Sequence, residues 1–376
     1  MAVTIAIPKE TKAGELRVAM TPTLVNRLTK LGASVKIQNN AGAGIHAQDA
    51  AYKDTEIVPT AHALYHSGDV VLKVQPPTED EVASMKENSI LISFLYPHLQ
   101  PNIVKKMLEK KITSFAMELV PRISRAQDMD ALSSQATITG YKAVLLAADN
   151  SKFFFPMLTT AAGSIRPAKV FIIGVGVAGL QAIATAKRLG AQVSAYDVRP
   201  ETKEQTESLG AKFFDTGVQA TGEGGYAREL TQEEKIKQAE ALKKHISTCD
   251  VIITTAGVPG RPAPKILSKD MVESMKTGAV VVDILADMGG NCELTKPGET
   301  VYHNDVAILG PINIPSSLAI NASEMYARNL INLLSLMIKE GALNLDWNDE
   351  IIAGSVVTHE GIIKNETVKK LLEGKL

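Results

Sequence analysis

The chain has 376 residues, too many for one ordinary domain, and its apolar share of 45% with a charged share of 22% is that of a folded globular protein. A net charge of −1 gives no electrostatic case for nucleic acid or for an anionic membrane surface. Two cysteines, Cys249 and Cys292, cannot build a disulfide framework; they suit a reducing compartment and are expected as small buried side chains.

The amino terminus, MAVTIAIPKE, has none of the regions of a secretory signal, and its alternation predicts a first strand. From there, apolar strands at Val3–Ile7, Ser34–Gln38, Val70–Val74, Ile90–Leu95 and Ile112–Ala116 alternate with helical patterns. Those patterns fall at Pro22–Leu31, Ala61–His66, Glu79–Met85 and Asn102–Leu108. Such alternation predicts a parallel sheet covered by helices on both faces. Met129–Asn150 reads as one helix leading into a second domain that begins near Lys169. In that domain further strands are expected at Val251–Thr255, Val280–Ile284 and Val306–Leu309. Asn321–Lys339 reads as a second long helix, followed by a short tail, Trp347–Leu376. The expected architecture is α/β: two Rossmann-like, doubly wound parallel-sheet domains joined by long helices. Residues 1–135 with 340–376 form a discontinuous N-terminal domain, and 136–339 form the second domain with its connecting helices.

The most informative stretch is Lys169–Arg199, KVFIIGVGVAGLQAIATAKRLGAQVSAYDVR. A buried strand meets a turn carrying Gly174, Val175, Gly176, Val177 and Gly179. An alanine-rich helix and a second strand ending at Asp197, Val198 and Arg199 follow. Gly174 permits a tight turn, Gly176 lets a pyrophosphate approach the backbone, and Gly179 lets helix and strand pack closely. The helix N-terminus then faces the anion, and Asp197 lies where a carboxylate accepts hydrogen bonds from an adenosine ribose. A carboxylate at that strand end repels a 2′-phosphate, so NAD(H) is expected over NADP(H), although Arg199 beside it has the opposite preference. Thr255 and Ala256, closing a neighbouring strand, are expected at the same site. The run Phe171–Ala186 is apolar enough to suggest a membrane span, but its glycines and Gln181 mark it as strand, turn and helix.

Three further groups stand out. PRISRAQDMDALSS, Pro121–Ser134, is dense in hydrogen-bonding groups: Arg122, Arg125, Gln127, Asp130 and Ser133 read either as one polar loop facing a ligand or as a helix N-terminus capped by Asp128 or Asp130. TGEGGYA, residues 221–227, places Gly225 and Tyr226 in a glycine-rich loop before the charged helix Gln232–Lys244; it reads as a ligand-anchoring loop or a plain surface one. Arg17, Lys73, His98 and Asp287 offer a carboxylate-binding arginine, an amine, an imidazole and an orienting carboxylate, each of which is also an ordinary structural residue. There is no CxxC, HExxH, GxSxG or P-loop, and the seven histidines are dispersed, so no metal is expected.

Taken together these motifs resemble one family. IPKE (Ile7–Glu10), RVAMTP (Arg17–Pro22), PRISRAQ (Pro121–Gln127), GVGVAGLQAIATAKRLGA (Gly174–Ala191), GGYA, the PAP of residues 262–264 and GGNC (Gly289–Cys292) span nearly the whole chain. They resemble the NAD(H)-binding component, the opening portion of the alpha subunit, of proton-translocating nicotinamide nucleotide transhydrogenases. PRISRAQ and GGYA are the specific stretches. The resemblance implies hydride transfer between NAD(H) on this chain and NADP(H) on a partner component, coupled to proton translocation by a membrane component. It implies that Arg122, Asp130 and Ser133 hold the nicotinamide end, that Gln127 reaches toward the partner's NADP(H), and that Tyr226 rides a closing loop. Gln238 on the following helix is implied to approach the nucleotide, and Asp197 to take the ribose. A homodimer is also implied, in the cytoplasm and attached to the inner membrane only through partner subunits. Ring-to-ring hydride transfer moves no separate proton, so no general acid or base is expected; proximity and exclusion of water carry it. The alternative is the related alanine dehydrogenase, whose catalytic pattern Arg17, Lys73, His98 and Asp287 could supply. A third reading, a non-catalytic NAD-sensing module, predicts binding without transfer.

Overall fold

The structure is a computed structural model that describes residues 2–220, 228, 230–258, 260 and 262–373. Two compact units divide it: Met1–Gln135 with Ser316–Leu376, and Ala136–Pro315.

The first unit is built on an eight-stranded sheet, in the order Ile362–Ile363, Val356–His359, Thr113–Ala116, Ile90–Ser93, Val70–Leu72, Thr4–Ile7, Ser34–Gln38 and Glu56–Val58. The last six of these run parallel; Val356–His359 and Ile362–Ile363 join antiparallel at one edge. Side chains alternate between two cores, as the period of two requires. Ile5, Ile7, Leu72 and Ile92 face one core with Leu28, Tyr326, Leu330 and Leu334. Ala6, Val71 and Leu91 face the other with Leu64, Tyr65, Val82 and Met107. Each fully buried aliphatic side chain contributes about 1.5–3 kcal/mol, so both faces must be covered.

The second unit carries a seven-stranded sheet in the order Lys212–Phe213, Gln192–Tyr196, Lys169–Ile173, Val251–Thr254, Val280–Asp283, Val306–Leu309 and Thr300–His303, of which only the last is antiparallel. Val170, Ile172, Val251 and Ile253 face one core, and Phe171, Ile173 and Ile252 the other. The chain starts at Lys169–Ile173, winds to one side, then crosses to the other, so Lys169–Ile173 and Val251–Thr254 flank the topological switch point where ligands bind in such sheets. The first unit repeats this winding about Thr4–Ile7.

Three expectations are revised. The domain boundary expected after Lys339 falls after Pro315 instead. Helix Ala319–Met337 belongs to the first unit because Tyr326, Leu330, Leu334 and Met337 share a core with Ile5, Leu72 and Phe94, and the Tyr326 hydroxyl donates to the Lys73 carbonyl at 2.8 Å. The helix expected from Met129 begins at Ala131, after a 3-10 segment at Ser124–Met129. The tail is structured: helix Glu350–Ser355, two strands and helix Glu366–Leu372 complete the first sheet. Among the described residues no helix is long and apolar enough to cross a membrane.

Candidate functional site: a dinucleotide turn

The turn after strand Lys169–Ile173 divides its glycines by role. Gly174 has φ +93°, and a Cβ there would lie 2.7 Å from the Ala256 nitrogen. A Cβ on Gly179 would lie 2.0 Å from the Gly174 carbonyl oxygen. Both positions therefore exclude side chains because the backbone is already there. Gly176 differs: its φ is −85°, and a Cβ built on it meets nothing within 4 Å. It stands at the N-cap of helix Val177–Arg188, where backbone N–H groups lack helical partners, and Val177 behind it is exposed. The open face of Gly176 over a helix N-terminus has the space and the polarity a pyrophosphate requires.

Asp197 ends the adjacent strand and closes the turn from the side. Its carboxylate accepts from the Val175 amide at 2.7 Å and from the Arg199 amide at 3.0 Å. The Arg199 guanidinium donates to the same group through Nε (2.9 Å) and Nη2 (2.8 Å). Arg199 is thus neutralised by Asp197, which weakens its claim on a 2′-phosphate. Val198 is half-buried, and its carbonyl receives the Ala220 amide. Gln238, on helix Gln232–Ile246, donates to the Tyr196 hydroxyl at 2.7 Å, and burial raises the Tyr196 pKa. Gly225 and Tyr226 lie outside the described residues.

Across the switch point, the Thr255 amide donates to the Ile173 carbonyl (2.7 Å) and its hydroxyl to the Gly174 carbonyl (2.8 Å). Ala256 is held by a residue that sequence reasoning passed over. Asn291, fully buried, accepts from the Ala256 amide at 3.1 Å and donates back to its carbonyl at 2.7 Å. The only sequence signal for it was its place in GGNC.

In the first unit, Arg122 and Gln127 are exposed around the Ser124–Met129 segment. Asp130 accepts from the Ser133 amide (2.9 Å) and from the Ser133 hydroxyl (2.6 Å), so it serves as the N-cap of helix Ala131–Asn150. Of the capping alternatives Asp130 holds the role; Asp128 instead offers its carbonyl to Asn329 and Asn332. Arg125 forms a two-pronged pair with Asp349, 2.8 Å on each arm. The structure thus joins Asp130 to Ser133 and sets Arg122 and Gln127 on the surface just before them.

Arg17 and Lys73 fall into one buried network. Arg17 donates to Glu15 through Nε (2.8 Å) and Nη2 (2.6 Å), and to Gln135 through Nη1 (2.9 Å). Lys73, 1% exposed, lies 3.4 Å from Glu10 and 3.1 Å from Glu81. Gln75 links the two halves by donating to Glu15 at 2.6 Å. Burial pushes the Glu10 carboxyl up despite Lys73; it also opposes ionisation of Glu15, but the bonds and charge of Arg17 hold that group down at about 2. Both cations are already matched by carboxylates, which weighs against their receiving a substrate acid. His98 sits half-exposed in the 3-10 turn Pro97–Leu99, and Asp287 is exposed in the second unit. Among the described residues no cluster of three metal-ligating side chains occurs.

Comparison with known proteins sharpens this reading. Family models match the alanine dehydrogenase/PNT N-terminal domain over residues 6–139 and the corresponding C-terminal domain over residues 143–366. In Rhodospirillum rubrum the alpha subunit of NAD(P) transhydrogenase is divided between polypeptides, and the first of them is 46% identical over 372 residues, covering 96% of this chain and 97% of its own length. The chain belongs to the NAD(P) transhydrogenase alpha-subunit family. The crystal structure of transhydrogenase from Sinorhizobium meliloti superposes with a TM-score of 0.87 at 42% identity, covering 96% of this chain and 99% of that one. An L-alanine dehydrogenase structure gives 0.84 at 25% identity, with both chains covered in full. The fold is common to both branches of the family, and sequence identity is what separates the transhydrogenase from the dehydrogenase.

Proposed function

We propose that this chain is the NAD(H)-binding component of a proton-translocating transhydrogenase, working with an NADP(H)-binding component and a membrane component. The observation that carries the reading is the Gly176 face: an open approach over a helix N-terminus, flanked by Asp197, in a chain of the transhydrogenase family. Bound NAD(H) supplies a hydride donor or acceptor at the nicotinamide C4.

The residues divide the work. Gly174 and Gly179 fix the turn, and Gly176 with the amides of Val175 and Val177 receives the pyrophosphate. Asp197 takes the adenosine ribose, exchanging part of its pairing with Arg199 for ribose hydroxyls. Val198, Thr255 and Ala256 line the nucleotide, Gln238 approaches it beside Tyr196, and Gly225 and Tyr226 cover it. Arg122, Asp130 and Ser133 orient the nicotinamide end; Gln127, exposed and uncharged, reaches toward the partner's NADP(H). None of these groups moves a proton in the hydride step, so their contribution is orientation and exclusion of water. The chain acts as a homodimer in the cytoplasm, held at the inner membrane by its partner subunits.

The alternative, an amino-acid dehydrogenase, draws on the L-alanine dehydrogenase likeness, and the carboxylate pairing of Arg17 and Lys73 stands against it. Two assays decide. Transfer from NADH to an NADP+ analogue is expected only when an NADP-binding partner is added, and alanine-dependent NAD+ reduction by the chain alone is expected to be absent. The opposite pair of results overturns the proposal.

A further inference from the structure

Three loops leave the carboxyl ends of the central strands in the second unit, and one side chain ties two of them together. The segment Gly289–Cys292 is itself anchored from strand Val280–Asp283. Asp283, fully buried, accepts from the Cys292 amide (2.9 Å) and from the Thr295 hydroxyl (2.7 Å), and it leaves no room for a Cβ on Gly290. From this anchored segment Asn291 reaches across. Its Oδ1 accepts from the Ala256 amide (3.1 Å), and its Nδ2 donates to the Ala256 carbonyl (2.7 Å) and to the Pro264 carbonyl (2.8 Å). Asn291 also uses its own carbonyl, which accepts the amides of Ile266 and Leu267.

The pairing with Ala256 imitates one rung of a β-ladder just where the ladder between strands stops. It fixes the Ala256 peptide in rotation as well as position, because both of its polar groups are used. Ala256 and Thr255 in turn form the wall against which Gly174 packs, and Thr255 bonds the Gly174 carbonyl. A side chain in the third loop therefore sets the second lip of the switch-point crevice relative to the glycine turn.

We propose that Asn291 is a positioning residue for dinucleotide binding, acting through Ala256 and Thr255 without contacting the nucleotide. The proposal rests on the NAD(H) reading above. An amide is required at this position. Aspartate keeps the shape and one acceptor but turns an oxygen toward two carbonyls, and alanine leaves the buried polar groups of Ala256 unpaired.

The test compares Asn291→Ala, Asn291→Ser and Asn291→Asp with the unaltered full chain, using NADH calorimetry well below the melting temperature and thermal unfolding by circular dichroism. Asp250→Asn serves as the structural control. Asp250 binds the Lys169 amide, Arg166 and Lys276 at the opposite ends of the same strands, so its loss destabilises the unit far from the crevice. The expected result is that folded Asn291 variants bind NADH at least about tenfold more weakly, while Asp250→Asn loses melting temperature and keeps its affinity within about twofold. Folded Asn291→Ser that binds NADH like the unaltered chain overturns the positioning role. If Asn291→Ala does not fold, Asn291→Ser, which keeps a small hydrogen-bonding group, decides. Failure of the unaltered chain to bind NADH would instead sink the reading beneath it.

Discussion

Gly176 and Gly179 lie three residues apart in the same turn, and alanine at each is expected to fail in opposite ways. At Gly176 the backbone is already in a region open to any residue, and nothing lies within 4 Å of the new methyl. Alanine is a poorer N-cap than glycine by about 0.5–1 kcal/mol, but it removes about 0.4–1 kcal/mol of backbone freedom from the unfolded chain. The two cancel, so Gly176→Ala melts like the unaltered chain. Its methyl nevertheless occupies the approach assigned to the pyrophosphate, and NADH affinity falls at least tenfold, about 1.4 kcal/mol. At Gly179 the methyl would sit 2.0 Å from the Gly174 carbonyl oxygen and 3.2 Å from the Thr255 hydroxyl. Backbone must move, costing about 3 kcal/mol or more, which for a unit of this size lowers the melting temperature by about 6–12 °C. Differential scanning calorimetry and NADH titration calorimetry on the two variants separate these effects. A Gly176→Ala chain that binds NADH within twofold of the unaltered one refutes the assignment of that face.

The chain should bind NADH more tightly than NADPH, because Asp197 occupies the strand end and already engages Arg199; calorimetry giving equal or reversed affinities counts against Asp197. Gln127→Asn should slow transfer to a partner-bound NADP+ analogue far more than it weakens NADH binding, and stopped-flow transfer at an unaltered rate removes Gln127 from the reaction. Burial pushes Glu118 up to about 7, although it accepts from the Leu95 and Tyr96 amides. A carboxyl whose folded pKa lies above its unfolded one gives its full stabilisation below the unfolded value and loses it as pH rises through about 7. Urea titrations across that range should therefore show a fall in stability with rising pH that is reduced in Glu118→Gln; identical slopes exclude Glu118 as the source.

What the sequence made legible was whatever is local or periodic. Ile5, Ala6 and Ile7 announce a two-faced strand by alternation alone, and the glycine turn announces its geometry by spacing. The cap formed by Asp130 and Ser133 was legible as one of two readings, since it spans three residues. Helix Ala319–Met337 shows the limit of periodicity: an apolar stripe says that a face is buried, and not in which unit. Long-range polar pairing left no trace at all. Glu10 and Lys73 stand 63 positions apart, and nothing in either neighbourhood says that one neutralises the other. Asn291 is hidden for the same reason, because a side-chain amide has no period and its partners come from two other loops.

The broken path of the chain through the first unit sets an order of birth. Residues 136–315 form one continuous stretch and can collapse as soon as they leave the ribosome. The stretch made before them has to wait: the sheet face bearing Ile5, Leu72 and Ile92 is without Tyr326, Leu330 and Leu334 until those residues are translated. The last strands of that sheet, Val356–His359 and Ile362–Ile363, arrive later still. The portion synthesised first is thus the last to be finished, and during that interval its sticky surface depends on chaperones rather than on its own sequence.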